Sequence, residues 1–315
     1  MIRFLKRLCL FAPVAVIFYL AGLLLAGFCI PEKYTPNLRV RSLNVGHLYT
    51  RLQEADTIQG PVDVLFLGSS HAYRNFDPRN FKGLRTFNLG SSAQTHLQTG
   101  LLLDRYLDRM QPAVIVYEVY PMMFGRDGME AMVDIAINYK NDRHSIATLF
   151  RTGNIAVFNS VAFAWMRDLL IYRSKLPQRR QENPGGTYVD GGYVQGEHAR
   201  FRYETYDTRK WVFRDAQLAA FNDNLMKIRS RGIPVILVFS PITRALYQSY
   251  TNNGLVDSMM SVAGEYYNFN HYANSGQPFA LVDTLHFADN NHLNQDGVNI
   301  FNRALLPILE EKLGR

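Results

Sequence analysis

Ser70 is the side chain of this 315-residue sequence that is best placed to act as a nucleophile. It follows residues 62–67, a short apolar run rich in β-branched and aromatic residues that predicts a buried strand. Gly68 permits a sharp turn after that run, and open α/β sheets bind ligands at the ends where such turns lie. A serine hydroxyl is nearly inert by itself. It needs a base, a group that orients the base, and donors for an oxyanion.

A candidate base and a candidate orienting group stand together in the loop before the final predicted helix. Asp289 and His292 are three residues apart, and on one helical turn this spacing puts the carboxylate beside the imidazole. Asp289 would then accept the Nδ1–H of His292, which leaves Nε2 free to take the Ser70 proton. The alternative is that Asp289 caps the last helix and His292 only packs.

The donors for an oxyanion are expected next to the first and second strands. The backbone N–H groups of Ser70 and Ala93 and the side chain of Asn88 are the best candidates, because amides at such turns bind anions readily. Tyr120 follows the third predicted strand and is a further candidate through its hydroxyl group.

Four further side chains are candidates for contact with substrate. They are His71, Arg74, His96 and Arg244. The alternative for the two histidines is a structural role, and for the two arginines a solvated surface. His286 could join Asp289 and His292 at a metal ion, but no further ligands follow at matching spacing. No metal and no cofactor are therefore expected.

Three segments of the chain resemble sequence blocks of the SGNH (GDSL-like) hydrolase superfamily. The segments are Gly-Ser-Ser-His at 68–71, Asn-Leu-Gly-Ser-Ser-Ala-Gln-Thr at 88–95 and Asp-Asn-Asn-His-Leu-Asn at 289–294. They occur in the order typical of that superfamily, each after a predicted strand, and the resemblance covers about residues 60–125 and 210–315. It implies a flavodoxin-like three-layer α/β/α sandwich with a central parallel sheet. It also implies serine ester or acyl-transfer chemistry with Ser70, His292 and Asp289 as the triad.

The sequence departs from the superfamily pattern at two positions that bear on activity. Ser69 stands where an Asp often precedes the nucleophile. Tyr120 lies where the third block normally supplies an Asn to the oxyanion hole, and losing one such donor costs about 3 kcal/mol in the transition state. These departures favour a slow transferase over a fast hydrolase. A catalytically degenerate binding partner with the same fold is the alternative.

Residues 8–30 form a 23-residue apolar run without a charge, which is long enough to cross a bilayer. Arg3, Lys6 and Arg7 precede it, so the positive-inside rule puts the N-terminus in the cytoplasm. We therefore expect a single-pass anchor in the cytoplasmic (inner) membrane and a periplasmic or extracellular domain. A cleaved signal peptide is the alternative, although the run is long for one and no small-x-small site follows it.

The predicted organisation is a stub and anchor over 1–30, a membrane-proximal connection over 31–60 and an SGNH-like domain over 61–315. Strands and helices alternate in that domain, which indicates a parallel sheet with right-handed crossovers. We predict a helix over 255–267 and a last strand over 279–282.

An insertion is predicted over about 122–207, where the strand–helix alternation stops and the sequence becomes irregular and rich in Gly and Pro. Tyr188, Tyr193, Tyr203 and Tyr206 cluster there with several arginines. The cluster could be a glycan-binding platform, or a solvated loop whose tyrosines pack locally.

Composition argues against some functions. The formal net charge is +7, but three basic residues precede the apolar run, so 31 Lys and Arg face 27 Asp and Glu in the remainder. That balance and the lack of a basic block argue against nucleic-acid binding. Cys9 and Cys29 both fall in the apolar run, so the folded portion has no disulfide.

The outward-facing, anchored arrangement is similar to that of membrane-tethered SGNH proteins that modify envelope polymers, as in alginate acetylation and teichoic-acid D-alanylation. This resemblance implies a cell-envelope polysaccharide or related polymer as acyl acceptor. It also implies a membrane-bound O-acyltransferase as a partner.

Overall fold

The computed structural model describes most of the chain. The described residues are 2–35, 37–38, 45–138, 143–167, 169–170, 185–196, 199–271 and 280–315. The strands are β1 (Val64–Leu67), β2 (Thr86–Asn88), β3 (Val114–Glu118), β4 (Thr187–Val189), β5 (Tyr193–Gln195), β6 (Val235–Phe239) and β7 (Glu265–Asn268). The helices are α1 (Ile2–Cys29), α2 (Leu48–Thr57), α3 (Ser70–Asn75), α4 (His96–Met110), α5 (Met122–Gly125), α6 (Met129–Asn138), α7 (Arg143–Thr152), α8 (Ile155–Arg167), α9 (Asp215–Arg229), α10 (Arg244–Ser249), α11 (Asn253–Ala263), α12 (Asp283–His286) and α13 (Gln295–Leu313).

Five strands form one parallel sheet in the order β2-β1-β3-β6-β7. This is the flavodoxin-like order, in which the chain starts inside the sheet and reverses direction across it. The predicted α/β sandwich with a central parallel sheet is therefore confirmed.

The central strands are buried on both faces because helices cover both sides of the sheet. In β1, Leu65 and Leu67 enter one apolar cluster, whereas Val64 and Phe66 enter the other. Helices α2, α4, α9 and α11 supply the first cluster, and α3 and α13 supply the second. The alternation follows from the period of two along a strand. Because β1 pairs in parallel with β2 and β3, the carboxyl ends of these strands lie at one edge of the sheet.

The fifth strand lies elsewhere than the sequence predicts. The helix expected over 255–267 ends at Ala263, and β7 follows it directly and pairs with β6. Residues 280–282 form no strand, and residue 279 lies outside the described part of the chain. Strand β7 is a half-buried edge strand of sequence Glu-Tyr-Tyr-Asn. An edge strand of this kind needs no apolar run. The prediction of a strand over 279–282 depended on such a run.

The region predicted as irregular contains regular structure where it is described. Helices α5 to α8 fill much of it, and β4 and β5 form an antiparallel hairpin that turns through Gly191 and Gly192. The hairpin packs on the end of β2, where the Asn88 N–H donates to the Gly191 carbonyl at 2.9 Å. Residues 171–184 of the Gly- and Pro-rich segment lie outside the described residues.

Helix α1 is long and apolar enough to cross a membrane, although a signal sequence has the same length and composition. Its carboxyl half packs on α8. The Phe163 ring occupies the space where a side chain at Gly27 would lie, and the Tyr19 hydroxyl donates to Asn159 Oδ1 at 2.5 Å.

Candidate active site

The turn that carries Ser70 is shaped by contact with the neighbouring strand. Gly68 has a φ of +142°, and a Cβ there would lie 2.7 Å from the Cβ of Glu118 at the end of β3. Only glycine therefore fits between the two strand ends. Ser69 caps α3 by accepting the His71 N–H at 3.3 Å, so that Ser70 becomes the first residue of the helix.

The three side chains predicted to form a triad lie in one hydrogen-bonded line. His292 Nε2 is 2.8 Å from Ser70 Oγ, and His292 Nδ1 is 2.8 Å from Asp289 Oδ2. A carboxylate can only accept, so Nδ1 carries the proton and Nε2 accepts from the Ser70 hydroxyl. The distance from Nε2 to Ser70 Oγ lies within the range needed for proton transfer.

The loop that carries His292 is a tight turn, not the helical turn that the spacing suggested. Phe287 and Leu293 form an antiparallel bridge across it. Asp289 Oδ1 accepts the N–H of Asn291 at 2.9 Å and of His292 at 2.8 Å. A short Asp side chain binds nearby amides of its own chain in this way, and the carboxylate still reaches the imidazole.

The electrostatics of the line suit a general base. Burial alone would raise the pKa of Asp289, but hydrogen bonds from His292, the charge of His292 and the two backbone amides hold this pKa well below its usual value. Asp289 is therefore ionised and keeps the imidazole in one tautomer. The Asp289 side chain is 50% exposed and that of His292 17% exposed, so solvent or a second substrate can reach the base.

The two predicted backbone donors are both available. The N–H groups of Ser70 and Ala93 donate to no other group in the described part of the chain. The loop after β2 lies on the nucleophile turn, since the Ser91 N–H donates to the Gly68 carbonyl at 3.3 Å. Ala93 has a φ of +48°, in the left-handed region that favours glycine.

The side chain of Asn88, a predicted oxyanion donor, is hydrogen-bonded within the protein. Its Nδ2 donates to the Ala72 carbonyl at 2.7 Å, and its Oδ1 accepts the Gly90 N–H at 2.8 Å. The side chain therefore ties the loop after β2 to α3. The Tyr120 hydroxyl is buried, which raises its pKa, and a hydrogen bond with the Asn291 side chain acts in the opposite direction. Its role as an oxyanion donor stays a prediction.

Two of the predicted substrate contacts are corrected, because both histidines are buried. His71 is fully buried, with its ring stacked 4.1 Å from that of Tyr120. His96 opens α4, its Nδ1 lies 2.7 Å from the Tyr117 hydroxyl, and its ring packs on Phe124. Burial lowers the pKa of His96 to about 3, so it is a neutral core residue.

The two predicted arginines lie in different surroundings. Arg74 donates to the Gly185 carbonyl at 3.2 Å, and its charge helps to lower the pKa of His71, which burial lowers more strongly. Arg244 is exposed at the start of α10, where its backbone N–H donates to Asp283. Contact of either side chain with substrate remains a prediction. The Nδ1 of His286, the third residue of the metal alternative, accepts the Val282 N–H at 2.8 Å.

Two features of the site were missed at the level of sequence. Glu118 is buried beneath the nucleophile turn, and its carboxyl group accepts from Ser69. A cavity of about 340 Å³ begins at Ala93 and is lined by Arg126, Glu130 and Arg214 among other residues. Charged residues in a segment without periodicity give no signal by themselves. The apolar run of β3 before Glu118 predicts only a buried core strand.

The tyrosines of the predicted platform are mostly engaged within the protein. Tyr188 donates to Glu54, and Tyr193 is buried and donates to Gln295 Oε1 at 2.9 Å. Tyr206 donates to Glu204, whereas Tyr203 is exposed. Most tyrosines of this cluster therefore fit the alternative of local packing better than they fit a glycan-binding platform.

No protein-family model and no curated protein matches this chain. Similar solved structures include a Bacteroides fragilis protein described as a “putative acylhydrolase” and a GDSL-like lipase from Bacteroides thetaiotaomicron. Both are 13% identical to this chain with a TM-score of 0.42, and both alignments cover 84% of it. They cover 95% and 98% of those two chains, respectively. Likeness at this level gives no information on reaction or substrate.

Proposed function

We propose that this chain is a serine esterase or acyltransferase of the SGNH type. The proposal is carried by the line of hydrogen bonds from Asp289 through His292 to Ser70, which joins residues 222 positions apart in sequence. Two further observations support it. The N–H groups of Ser70 and Ala93 donate to no group within the described ranges, and the site opens at the carboxyl edge of the sheet.

The reaction follows from the geometry. Ser70 Oγ attacks the carbonyl carbon of an acyl donor while His292 Nε2 takes its proton, and Asp289 stabilises the imidazolium. The N–H groups of Ser70 and Ala93 stabilise the negative charge on the carbonyl oxygen. His292 returns the proton to the leaving oxygen, and an acyl–Ser70 ester remains. A second hydroxyl, from a sugar or from water, gives its proton to His292 and attacks the acyl carbon. The bond from that carbon to Ser70 Oγ then breaks, and His292 returns the proton to Ser70 Oγ, which restores the free enzyme.

The proposed acceptor is a cell-envelope polysaccharide or related polymer, outside the cytoplasmic membrane. Helix α1 supports a membrane location, and the polar lining of the cavity beside Ala93 suits a hydroxylated substrate. We further propose that transfer is favoured over hydrolysis. In this scheme a membrane-bound O-acyltransferase supplies the acyl group.

A fluorophosphonate probe tests the nucleophile directly. The full-length protein in detergent is expected to be labelled at Ser70, while Ser70→Ala and His292→Ala abolish labelling. Ser258→Ala is the matched control, because this exposed hydroxyl on α11 donates only within its own helix. Peptide mass spectrometry of the labelled protein identifies the modified residue.

The alternative, a binding partner without catalysis, predicts different results. Wild-type protein would then remain unlabelled, and cells that carry Ser70→Ala would modify their envelope normally. Release or transfer of an acyl group from envelope extracts, measured against Ser70→Ala, distinguishes hydrolysis from transfer and identifies the acyl group.

A further inference from the structure

A buried polar cluster that the reaction does not use lies beneath the nucleophile. Glu118 Oε2 accepts two hydrogen bonds from Ser69, from the backbone N–H at 3.1 Å and from Oγ at 2.9 Å. His71 Nδ1 lies 3.8 Å from the other oxygen, Glu118 Oε1. Glu118 and His71 both have fully buried side chains.

Three atoms of this cluster have no hydrogen-bond partner among the described residues, namely Glu118 Oε1 and both ring nitrogens of His71. Buried polar atoms are rarely left unpaired, and each such case calls for an explanation. A movement of about 1 Å would bring Glu118 Oε1 and His71 Nδ1 into hydrogen-bond distance. A proton on the carboxyl group satisfies both atoms at once, since Oε1–H donates to Nδ1.

We infer that Glu118 is a positioning residue for Ser70 and that it acts in its neutral, protonated form. This inference rests on the proposed function, because it concerns how the nucleophile is held. Oε2 fixes Ser69, and the Ser69 Oγ in turn accepts the His71 N–H that starts α3. The proton on Oε1 keeps the neighbouring imidazole neutral.

The surroundings of Glu118 favour its neutral form. Burial raises the pKa of Glu118 to about 7, although the hydrogen bonds from Ser69 and from the backbone N–H of Tyr120 act in the opposite direction. Burial and the nearby charge of His292 lower the pKa of His71, so this histidine provides no positive charge to pair with a carboxylate. The titratable or polar groups that face the pair are Ser69, Arg74, Tyr120, Asp289 and His292.

The neutral pair has a direct consequence for the triad. The edge of the His71 ring meets the ring of His292, with centroids 5.2 Å apart. A charged His71 would oppose the imidazolium that forms on His292 during the reaction. A carboxylate at Glu118 would place a negative charge next to the turn whose Ser70 N–H must bind an oxyanion. Both effects disfavour turnover, and both are avoided while the Glu118 proton is present.

The test compares Glu118→Gln and Glu118→Ala in the full-length protein through the rate of fluorophosphonate labelling as a function of pH. A glutamine mimics the protonated acid, because its Oε1 can accept from Ser69 and its Nε2 can donate to His71. At pH 6.5 we expect Glu118→Gln to react within about threefold of wild type, and Glu118→Ala at least about tenfold more slowly. Above pH 7 the wild-type rate should fall by up to about tenfold per pH unit, whereas the Gln variant stays level.

A stability measurement separates this inference from the proposed function. A carboxyl group whose folded-state pKa is raised stabilises the protein fully below its unfolded-state pKa, and this stabilisation is lost as pH rises through about 7. The Tm of wild type should therefore fall between pH 5 and pH 8 by several degrees more than that of Glu118→Gln. Equal falls in Tm, or a Gln variant as slow as the Ala variant at pH 6.5, would overturn the inference. If Ser70 is never labelled, the proposed function fails and the Tm comparison alone decides.

Discussion

Asp289 performs two tasks with its two carboxylate oxygens. Oδ1 accepts the N–H groups of Asn291 and His292 and so shapes the turn. Oδ2 is the nearer acceptor for the imidazole Nδ1–H, at 2.8 Å, while Oδ1 lies 3.0 Å from the same nitrogen. Because these bonds favour the ionised form, the carboxylate can fix the tautomer while His292 exchanges its proton. The shape of the loop and the orientation of the base therefore depend on one side chain.

Asp289→Asn is expected to separate these two tasks. The amide oxygen can replace Oδ1 and keep the turn, but an NH2 group in place of Oδ2 faces Nδ1 and forces the proton onto Nε2. The imidazole then cannot accept from Ser70. The labelling rate and kcat should fall by about two to four orders of magnitude, with little change in Tm.

Asp223→Asn is a matched control for this change, because that exposed carboxylate pairs with Arg151 at the surface, apart from the triad. It should leave the labelling rate unchanged. A large drop in Tm for Asp289→Asn, or full activity, would contradict the assignment of the two oxygens.

At the scale of elements, the site depends on how two loops are fixed to the sheet. The nucleophile turn is held between β1 and β3. The loop of His292 is held by Thr243, which precedes α10 and donates to the Asn290 carbonyl from its N–H at 3.1 Å and its Oγ1 at 2.8 Å. Thr243 is fully buried, so this anchor is protected from competing water.

Thr243→Val is expected to loosen the loop without removing a reacting group. Valine keeps the backbone hydrogen bond and the shape but loses the bond from Oγ1, worth about 1 kcal/mol. If the lost hydrogen bond serves only to position His292, kcat decreases about fivefold while KM stays close to the wild-type value. Steady-state kinetics with an acyl ester measures both.

Thr152→Val provides a control of identical chemistry, since the Thr152 hydroxyl donates only to the Thr148 carbonyl within α7. A rise in KM at constant kcat in Thr243→Val would show that the threonine shapes the substrate site and not the base.

Element order and spacing are sufficient to predict much of the site, because parallel strands end at one edge of their sheet. Ser70 after β1 and Ala93 after β2 are placed by that rule, and the spacing of Asp289 and His292 predicts their contact. The contact of Glu118 with Ser69 is different, since it depends on the register that pairs Leu67 with Tyr117. Neither strand specifies that register in its own apolar pattern.

The same reasoning explains the other differences between prediction and structure. His96, predicted to contact substrate, opens α4 at the sheet edge, but its side chain points into the core and packs against Tyr117 and Phe124. Asn88 lies at the predicted position, yet its amide is used by the Ala72 carbonyl and the Gly90 N–H. Local sequence places a residue at an edge, whereas tertiary packing decides where its side chain points.

At the scale of the whole molecule, α1 contributes no residue to the triad but packs against the rest of the chain. Most of its apolar side chains are exposed in the described structure. It contacts the rest of the chain mainly through α8, where Phe163, Leu23 and Leu38 form a small apolar cluster. This exposure fits the membrane location proposed above, because a bilayer provides a nonpolar environment for such a helix.

Deletion of residues 2–30 is therefore expected to release the protein from membranes and to leave the Ser70 chemistry intact. Full-length protein should resist extraction with alkaline carbonate, and the shortened chain should fractionate as soluble and still react with fluorophosphonate. Because the deletion exposes the α8 face around Phe163, the shortened chain should also aggregate at lower concentration. The mass of the mature protein from cells distinguishes an anchor from a signal peptide, since an anchor is retained. A mature chain that begins near residue 31 would contradict the anchor, and loss of labelling on deletion would show that α1 supports the site through α8.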